Sequence, residues 1–296
     1  MPKSERRLEG SNASPPIEQR SMRELSPLEI PFSSFVHTKE YSRFVQVCEA
    51  SRRYRYMVVC VGDRGVGKTW AAREYAQWDI FGPLLSARGV AFPAECPIPR
   101  TALYAPRATA TPKGVEQDVA LLLWGLQMIA DHGSAVAQEM AATPVVIRPD
   151  VVDVLIVDEV DGLSHASLEV LRDVFDRSRL GMVLLGRSGS AERLQKMAAL
   201  ASRVGVLHGF GALGKQDTRK LLEQQVQRLG LPVHDEAVDA FVQKTQGNFQ
   251  MMYLVVCHLD YLLLRHGVFM VTKEVVEEAI DRLLTQRNVQ RLRGKI

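Results

Sequence analysis

Eight residues fit the spacing G-x-x-x-x-G-K-[ST]: Gly62-Asp63-Arg64-Gly65-Val66-Gly67-Lys68-Thr69. Glycines at these places permit backbone angles that side chains block. Successive N–H groups can then turn inward around an anion. The helix expected to begin near Lys68 adds the positive end of its dipole. Lys68 is placed to reach the outer phosphates of a nucleoside triphosphate, and the Thr69 hydroxyl to ligate Mg²⁺. Gly62 to Trp70 therefore form the candidate ATP site. The apolar run before them, Tyr56 to Val61, reads as a buried parallel strand, the context this motif requires. A simple tight strand-to-helix connection is the competing reading.

A second chemical pair stands downstream. Val151 to Val157 is an apolar strand pattern, and Asp158-Glu159 closes it. Asp158 is placed to hold Mg²⁺ with Thr69, in the oxygen-rich, partly hydrated setting that magnesium prefers. Glu159 is the candidate general base for an attacking water. Two solvated acids at a strand end are the alternative. Asp161 reads as a turn residue or helix cap.

These residues must be held by alternating strands and helices. Strand patterns recur at 101–105, 151–157, 182–186 and 204–210. Helical spacing falls at 38–52, after the glycine loop, at 115–133, at 164–178 with Ser164 as cap, and at 190–203. Residues 81–100, with Pro and Gly, read as a loop insertion. The alternation predicts an α/β fold, a parallel sheet with flanking helices. After about residue 212 every pattern is helical, which predicts a small C-terminal all-helical subdomain. The expected division is a disordered N-terminal arm at 1–33, rich in Ser, Pro, Arg and Glu, and a nucleotide-binding α/β domain at 34–211. A helical lid at 212–286 and a basic C-terminal tail at 287–296, with Arg287, Arg291, Arg293 and Lys295, complete it. Both ends are read either as contact segments for a partner or as plain termini.

Composition narrows the class. Of 296 residues, 46% are hydrophobic and 24% charged, an ordinary globular balance. A net charge of +3 permits nucleic-acid binding without demanding it. The four cysteines, Cys48, Cys60, Cys96 and Cys257, are scattered without a CxxC pair, which argues against a disulfide framework or zinc site and fits a cytoplasmic setting. No apolar run approaches the ~20 residues of a membrane span.

The order of parts, together with "LIVDEVDGLSHASLEVLRDVFDRSRLGMVLLGRSGSAERL", "ASRVGVLHGFGAL" and "TQGNFQMMYLVV", resembles AAA+ transposition ATPases of the TniB/TnsC/MuB type over roughly residues 35–285. The resemblance makes the glycine loop a Walker A motif and Asp158-Glu159 a Walker B motif. It implies Ser188, with Arg187 as second choice, as the sensor of the terminal phosphate. It implies Arg203 as an arginine finger acting on a neighbouring subunit, and therefore a homo-oligomer, a ring or filament. The loop 106–114 would face duplex DNA, with Arg107, Thr109, Thr111 and Lys113 contacting phosphates without reading sequence. A transposase and a target-selection protein are the implied further partners. One departure stands out: relatives often carry GNFR in the lid, and here Gln250 occupies the arginine's place and cannot supply its charge. The alternatives are an AAA+ helicase loader or motor, and a P-loop small-molecule kinase. The first would favour an aromatic residue in 106–114, where there is none.

Overall fold

The computed structural model describes residues 35–86, 96–139, 151–227, 232–266 and 270–293; the expected arm at 1–33 lies outside them. Five parallel strands form one sheet: β1 (Met57–Val61), β2 (Thr101–Tyr104), β3 (Val154–Val157), β4 (Gly181–Gly186) and β5 (Val204–Gly209). Their order is β2-β3-β4-β1-β5.

The period-two alternation of strands sorts their side chains into two cores. Met57 and Val59 of β1, Leu155 and Val157 of β3, and Met182 and Leu184 of β4 face one side. They pack there on α3 (Trp78–Ser86), α4 (Pro112–Glu139) and α5 (His165–Arg177). Val58, Cys60, Ile156, Val183 and Leu185 face α1 (Lys39–Tyr54) and α2 (Lys68–Tyr75) on the other. Strands buried on both faces explain the continuous apolar runs in the sequence.

Two expectations need correction. The segment 81–100 is not all loop, because α3 covers its start. Phe81 is fully buried, and Gly82 leaves room for the Trp78 ring, whose Nε1 would stand 3.0 Å from a Cβ there. The helix expected at 190–203 is two short ones, α6 (Ser190–Gln195) and α7 (Ala198–Ala201), because Met197 between them leaves the helical region at φ −91°, ψ 87°.

Beyond the sheet, α8 (Lys215–Gln227), α9 (Asp235–Thr245), α10 (Phe249–His266) and α11 (Lys273–Arg293) bury a separate core that includes Leu221, Phe241, Met252 and Ile280. The last helix continues past 286, the expected end of the helical subdomain, into the basic segment.

Candidate nucleotide site

The loop that follows β1 is built by contacts that only glycine allows. A Cβ on Gly62 would stand 2.3 Å from the Phe210 carbonyl oxygen. Gly65 and Gly67 have φ of +78° and +105°, a region side chains disfavour. Gly67 caps α2, so the first N–H groups of that helix open toward the loop. Lys68 folds back over the loop, its Nζ donating to the carbonyls of Gly62 at 2.7 Å and Asp63 at 2.9 Å. Burial lowers the Lys68 pKa, and the nearby carboxylates of Asp158, Asp161 and Asp63 oppose that shift. Cys60, in the strand beneath, is pushed up to about 12 by burial and stays a neutral thiol.

The acidic end of β3 meets this loop across the sheet. The Thr69 hydroxyl donates to Asp158 Oδ2 at 2.6 Å, and Asp158 Oδ1 accepts the Glu159 N–H at 2.8 Å. Asp158 is buried, while Glu159 is exposed and takes a left-handed conformation at φ 50°. One hydroxyl and one carboxylate offer hard oxygen donors, a set that fits Mg²⁺ completed by phosphate oxygens and water. Among the described residues no cluster of three or more His, Cys, Asp or Glu could hold a metal alone.

The end of β4 supplies a third side. Ser188 donates to Asp63 Oδ1 at 2.8 Å, tying its turn to the loop. Arg187 pairs through Nε with Asp161 Oδ2 at 3.0 Å, so Asp161 holds the neighbouring turn rather than standing free in solvent.

The helical subdomain closes the site from above. The Asn248 amide Nδ2 donates to the Arg64 carbonyl at 2.7 Å, and the Gln250 N–H donates to the Gly65 carbonyl at 2.8 Å. Asn248 Oδ1 accepts the Met251 N–H at 3.0 Å and so caps α10. The Phe249 ring lies 5.6 Å from Trp70. Behind Gly67 a cavity of about 120 Å³ opens between Tyr41, Trp70, Phe210 and Phe249. It is smaller than the ~300 Å³ of a whole-ligand pocket, and so suits one ring with the rest of its ligand outside. The sequence reading missed Asn248 and this aromatic slot. An Asn just before an apolar helical run was the available signal for the first; nothing contiguous marked the second.

Arg203 stands elsewhere. It precedes β5, and its carbonyl accepts the Met57 N–H at 2.9 Å, at the start of β1. The phosphate loop begins at the other end of that strand, roughly 16 Å away at about 3.3 Å per residue. Asp176 holds the guanidinium with two bonds of 3.0 and 2.9 Å, and these bonds hold the Asp176 carboxyl below its usual range. Arg107, Thr109, Thr111 and Lys113 are all exposed between β2 and the first turn of α4, and Thr111 caps that helix by accepting the Gly114 N–H at 3.1 Å.

This arrangement is the P-loop AAA+ fold, a five-stranded parallel sheet with flanking helices and a C-terminal helical subdomain. Residues 51–194 match the family model described as AAA domain. A potential ATP-binding protein of Staphylococcus aureus is 29% identical over 266 residues, covering 85% of this chain and 97% of that protein. The Holliday junction branch migration motor RuvB of Thermotoga maritima superposes with a TM-score of 0.55 at 14% identity, over 84% of this chain and 70% of its own. The ORC2 protein of Aeropyrum pernix, in its ADP form, gives a TM-score of 0.54 at 11% identity, over 88% and 72%. Among the described residues no helix is long and apolar enough to cross a membrane.

Proposed function

We propose that this protein is an ATPase whose nucleotide controls assembly on duplex DNA, where it recruits a transposase. The observation that carries the proposal is the division of the site between two ends of the sheet. The loop, Thr69, Asp158 and Glu159 converge at one end, while Arg203 sits at the other, farther than an arginine side chain can span. An arginine there can reach a phosphate only on a second copy, which in this reading ties hydrolysis to oligomerisation. Exposed Leu121, Trp124 and Met128, spaced along one face of α4, supply apolar surface that a second copy would cover.

In this reading the loop N–H groups and Lys68 bind the phosphates, and the aromatic slot beside Gly67 takes the base. Thr69 and Asp158 would hold Mg²⁺, which when bound neutralises phosphate charge. Glu159 accepts the proton of the attacking water. Ser188 senses the terminal phosphate by leaving Asp63. Residues 34–211 then act as the nucleotide-binding unit and 212–286 as its lid. Arg107 and Lys113 meet duplex phosphates, with Thr109 and Thr111 donating hydrogen bonds beside them. The transposition role, with a target-selection protein as further partner, is supported by the motifs around Asp158, Arg203 and Asn248 in the sequence. The likeness of fold to a branch migration motor keeps a motor reading as the second choice.

Electron microscopy with duplex DNA tests the proposal. Ordered rings or filaments with a slowly hydrolysed ATP analogue, and none with ADP or with the Lys68→Ala variant, are expected. A monomer indifferent to nucleotide and DNA would refute it and favour the small-molecule kinase alternative.

A further inference from the structure

The end of the sheet away from the phosphate loop carries its own concentration of charge. There α1 closes with Arg52-Arg53-Tyr54, and Arg55-Tyr56 lead into β1. An open cavity of about 600 Å³ is lined by Arg52, Arg53, Arg55 and Arg100 and by the carboxylates of Glu49 and Asp153, a surplus of positive charge.

The arginines are placed, not loose. Arg55 caps α1 in the left-handed region, at φ 55°, ψ 47°, where glycine is the usual choice. Its guanidinium holds it there, donating to the Asp153 carbonyl at 2.7 Å and to Asp153 Oδ1 at 3.3 Å. Arg100 donates from Nε to Asp153 Oδ2 at 2.7 Å. One buried-edge carboxylate thus fixes two cations at the rim. Arg52 pairs with Glu49, while Arg53 makes no ion pair to a carboxylate among the described residues and lies 5.6 Å from the centre of the Tyr54 ring. Arg179 adds another exposed cation just before β4, whose Gly181 N–H donates to the Asp153 carbonyl at 2.8 Å.

Beside these charges is a flat aromatic surface. Tyr54 is 62% exposed and stacks on Tyr56, with centroids 6.0 Å apart and planes 13° from parallel. Tyr56 is seated against Gly205 of β5, where a Cβ would come within 2.6 Å of its ring. An exposed ring, stacked on Tyr56 and with the Arg53 guanidinium over it, combines base stacking with neutralisation of a phosphate backbone once that guanidinium swings from the ring to a phosphate. Duplex DNA hides the faces of its bases, and an acidic peptide would use the arginines while leaving the ring idle.

We infer that this groove binds a single-stranded nucleic-acid segment, with a base stacked on Tyr54 and phosphates along Arg53, Arg52 and Arg100. It is separate from the nucleotide loop and from residues 107–113, which lie at the opposite end of the strands, and it does not depend on the assembly reading.

Fluorescence anisotropy tests it on the full chain without nucleotide, using a labelled oligothymidylate, a labelled duplex and unlabelled polyglutamate as competitor, at several salt concentrations. Tyr54→Ala is expected to weaken oligothymidylate binding about 10-fold. Arg53→Ala is expected to reduce the salt slope by about 0.7. Neither should change duplex binding or the melting temperature. Tyr54→Leu keeps the bulk and removes the aromatic face, so it should weaken binding as alanine does, and it serves if the alanine variant is unstable. The inference is overturned if the wild type does not bind the oligothymidylate, or if Tyr54→Leu binds like wild type. It is also overturned if binding is lost in Arg107→Ala/Lys113→Ala but kept in Arg53→Ala, or if polyglutamate displaces the oligothymidylate equally from wild type and Tyr54→Leu.

Discussion

Substituting Gly65 by alanine should open the contact between lid and loop, and Asn248 should decide how far. Gly65 has φ +78°, so alanine there costs about 1–2 kcal/mol of backbone strain. Its Cβ would also stand 2.5 Å from Asn248 Oδ1, inside contact distance. Asn248 must then move, and it loses its bond to the Arg64 carbonyl and its capping bond to the Met251 N–H. Those are worth about 1 kcal/mol each. Gly65→Ala should therefore cost about 3–4 kcal/mol, and Asn248→Ala alone about 2 kcal/mol. The double variant should also cost about 3–4 kcal/mol, because the Asn248 side chain, the nearest clash, is already gone and the remaining neighbour, Gln250 Cβ at 3.0 Å, need give by only a few tenths of an ångström. The two positions are thus coupled by about 2 kcal/mol, readable as a double-mutant cycle. Hydrogen exchange of the first turn of α10 reports the opening, and denaturant unfolding reports the total. Costs that simply add, or a Gly65→Ala variant with wild-type protection at α10, would refute the claim that the lid rests on the phosphate loop through Asn248.

Other expectations follow from the same geometry. Arg203→Ala should slow hydrolysis on the order of 10³-fold, with activity regained in mixtures with Lys68→Ala chains that still carry the arginine; steady-state phosphate release measures both, and full activity of the single variant alone would remove Arg203 from the site. Glu159→Gln should bind nucleotide normally and hydrolyse it about 10²-fold more slowly or worse, so that DNA assemblies formed with ATP persist under the microscope. Half-buried His208 on β5 has its pKa lowered from 6.5 by burial. The unfolded chain then takes up a proton that the folded chain refuses, so stability should fall as pH drops below 6.5 toward the folded value; melting curves of His208→Gln should lose that dependence.

What the sequence disclosed, and what it did not, follows from how each feature is encoded. The glycine loop and Asp158-Glu159 are contiguous, and each residue's type is dictated by local backbone or ligand chemistry, so Gly62 to Thr69 can be read before any fold is known. The strands were equally legible, because β1, β3 and β4 are buried on both faces and leave uninterrupted apolar runs. α3 was obscured by Gly82 and Pro83, whose local penalties are outweighed by the burial of Phe81 and the fit of Trp78 over Gly82.

Contacts between distant segments are a different matter. Nothing near Gly65 announces that Asn248 will rest on it, yet that contact constrains both residues: the glycine must lack a Cβ, and the asparagine must serve a helix and a loop at once. The helical subdomain therefore meets the glycine loop through hydrogen bonds to its carbonyls, from the Asn248 side chain and from the main-chain N–H of Gln250, the residue that replaces the arginine of the resembled GNFR motif. A phosphate bound by the loop N–H groups polarises the same peptide units whose carbonyls hold Asn248 and Gln250, which strengthens those bonds cooperatively. On the proposed reading, the hydrogen bonds to the Arg64 and Gly65 carbonyls are what couple the helical subdomain to a bound phosphate. Gln250→Arg should accordingly add a direct charge contact with bound nucleotide and tighten binding of the triphosphate relative to the diphosphate. Equal affinity changes for both, measured by titration calorimetry, would mean that position 250 does not face the terminal phosphate.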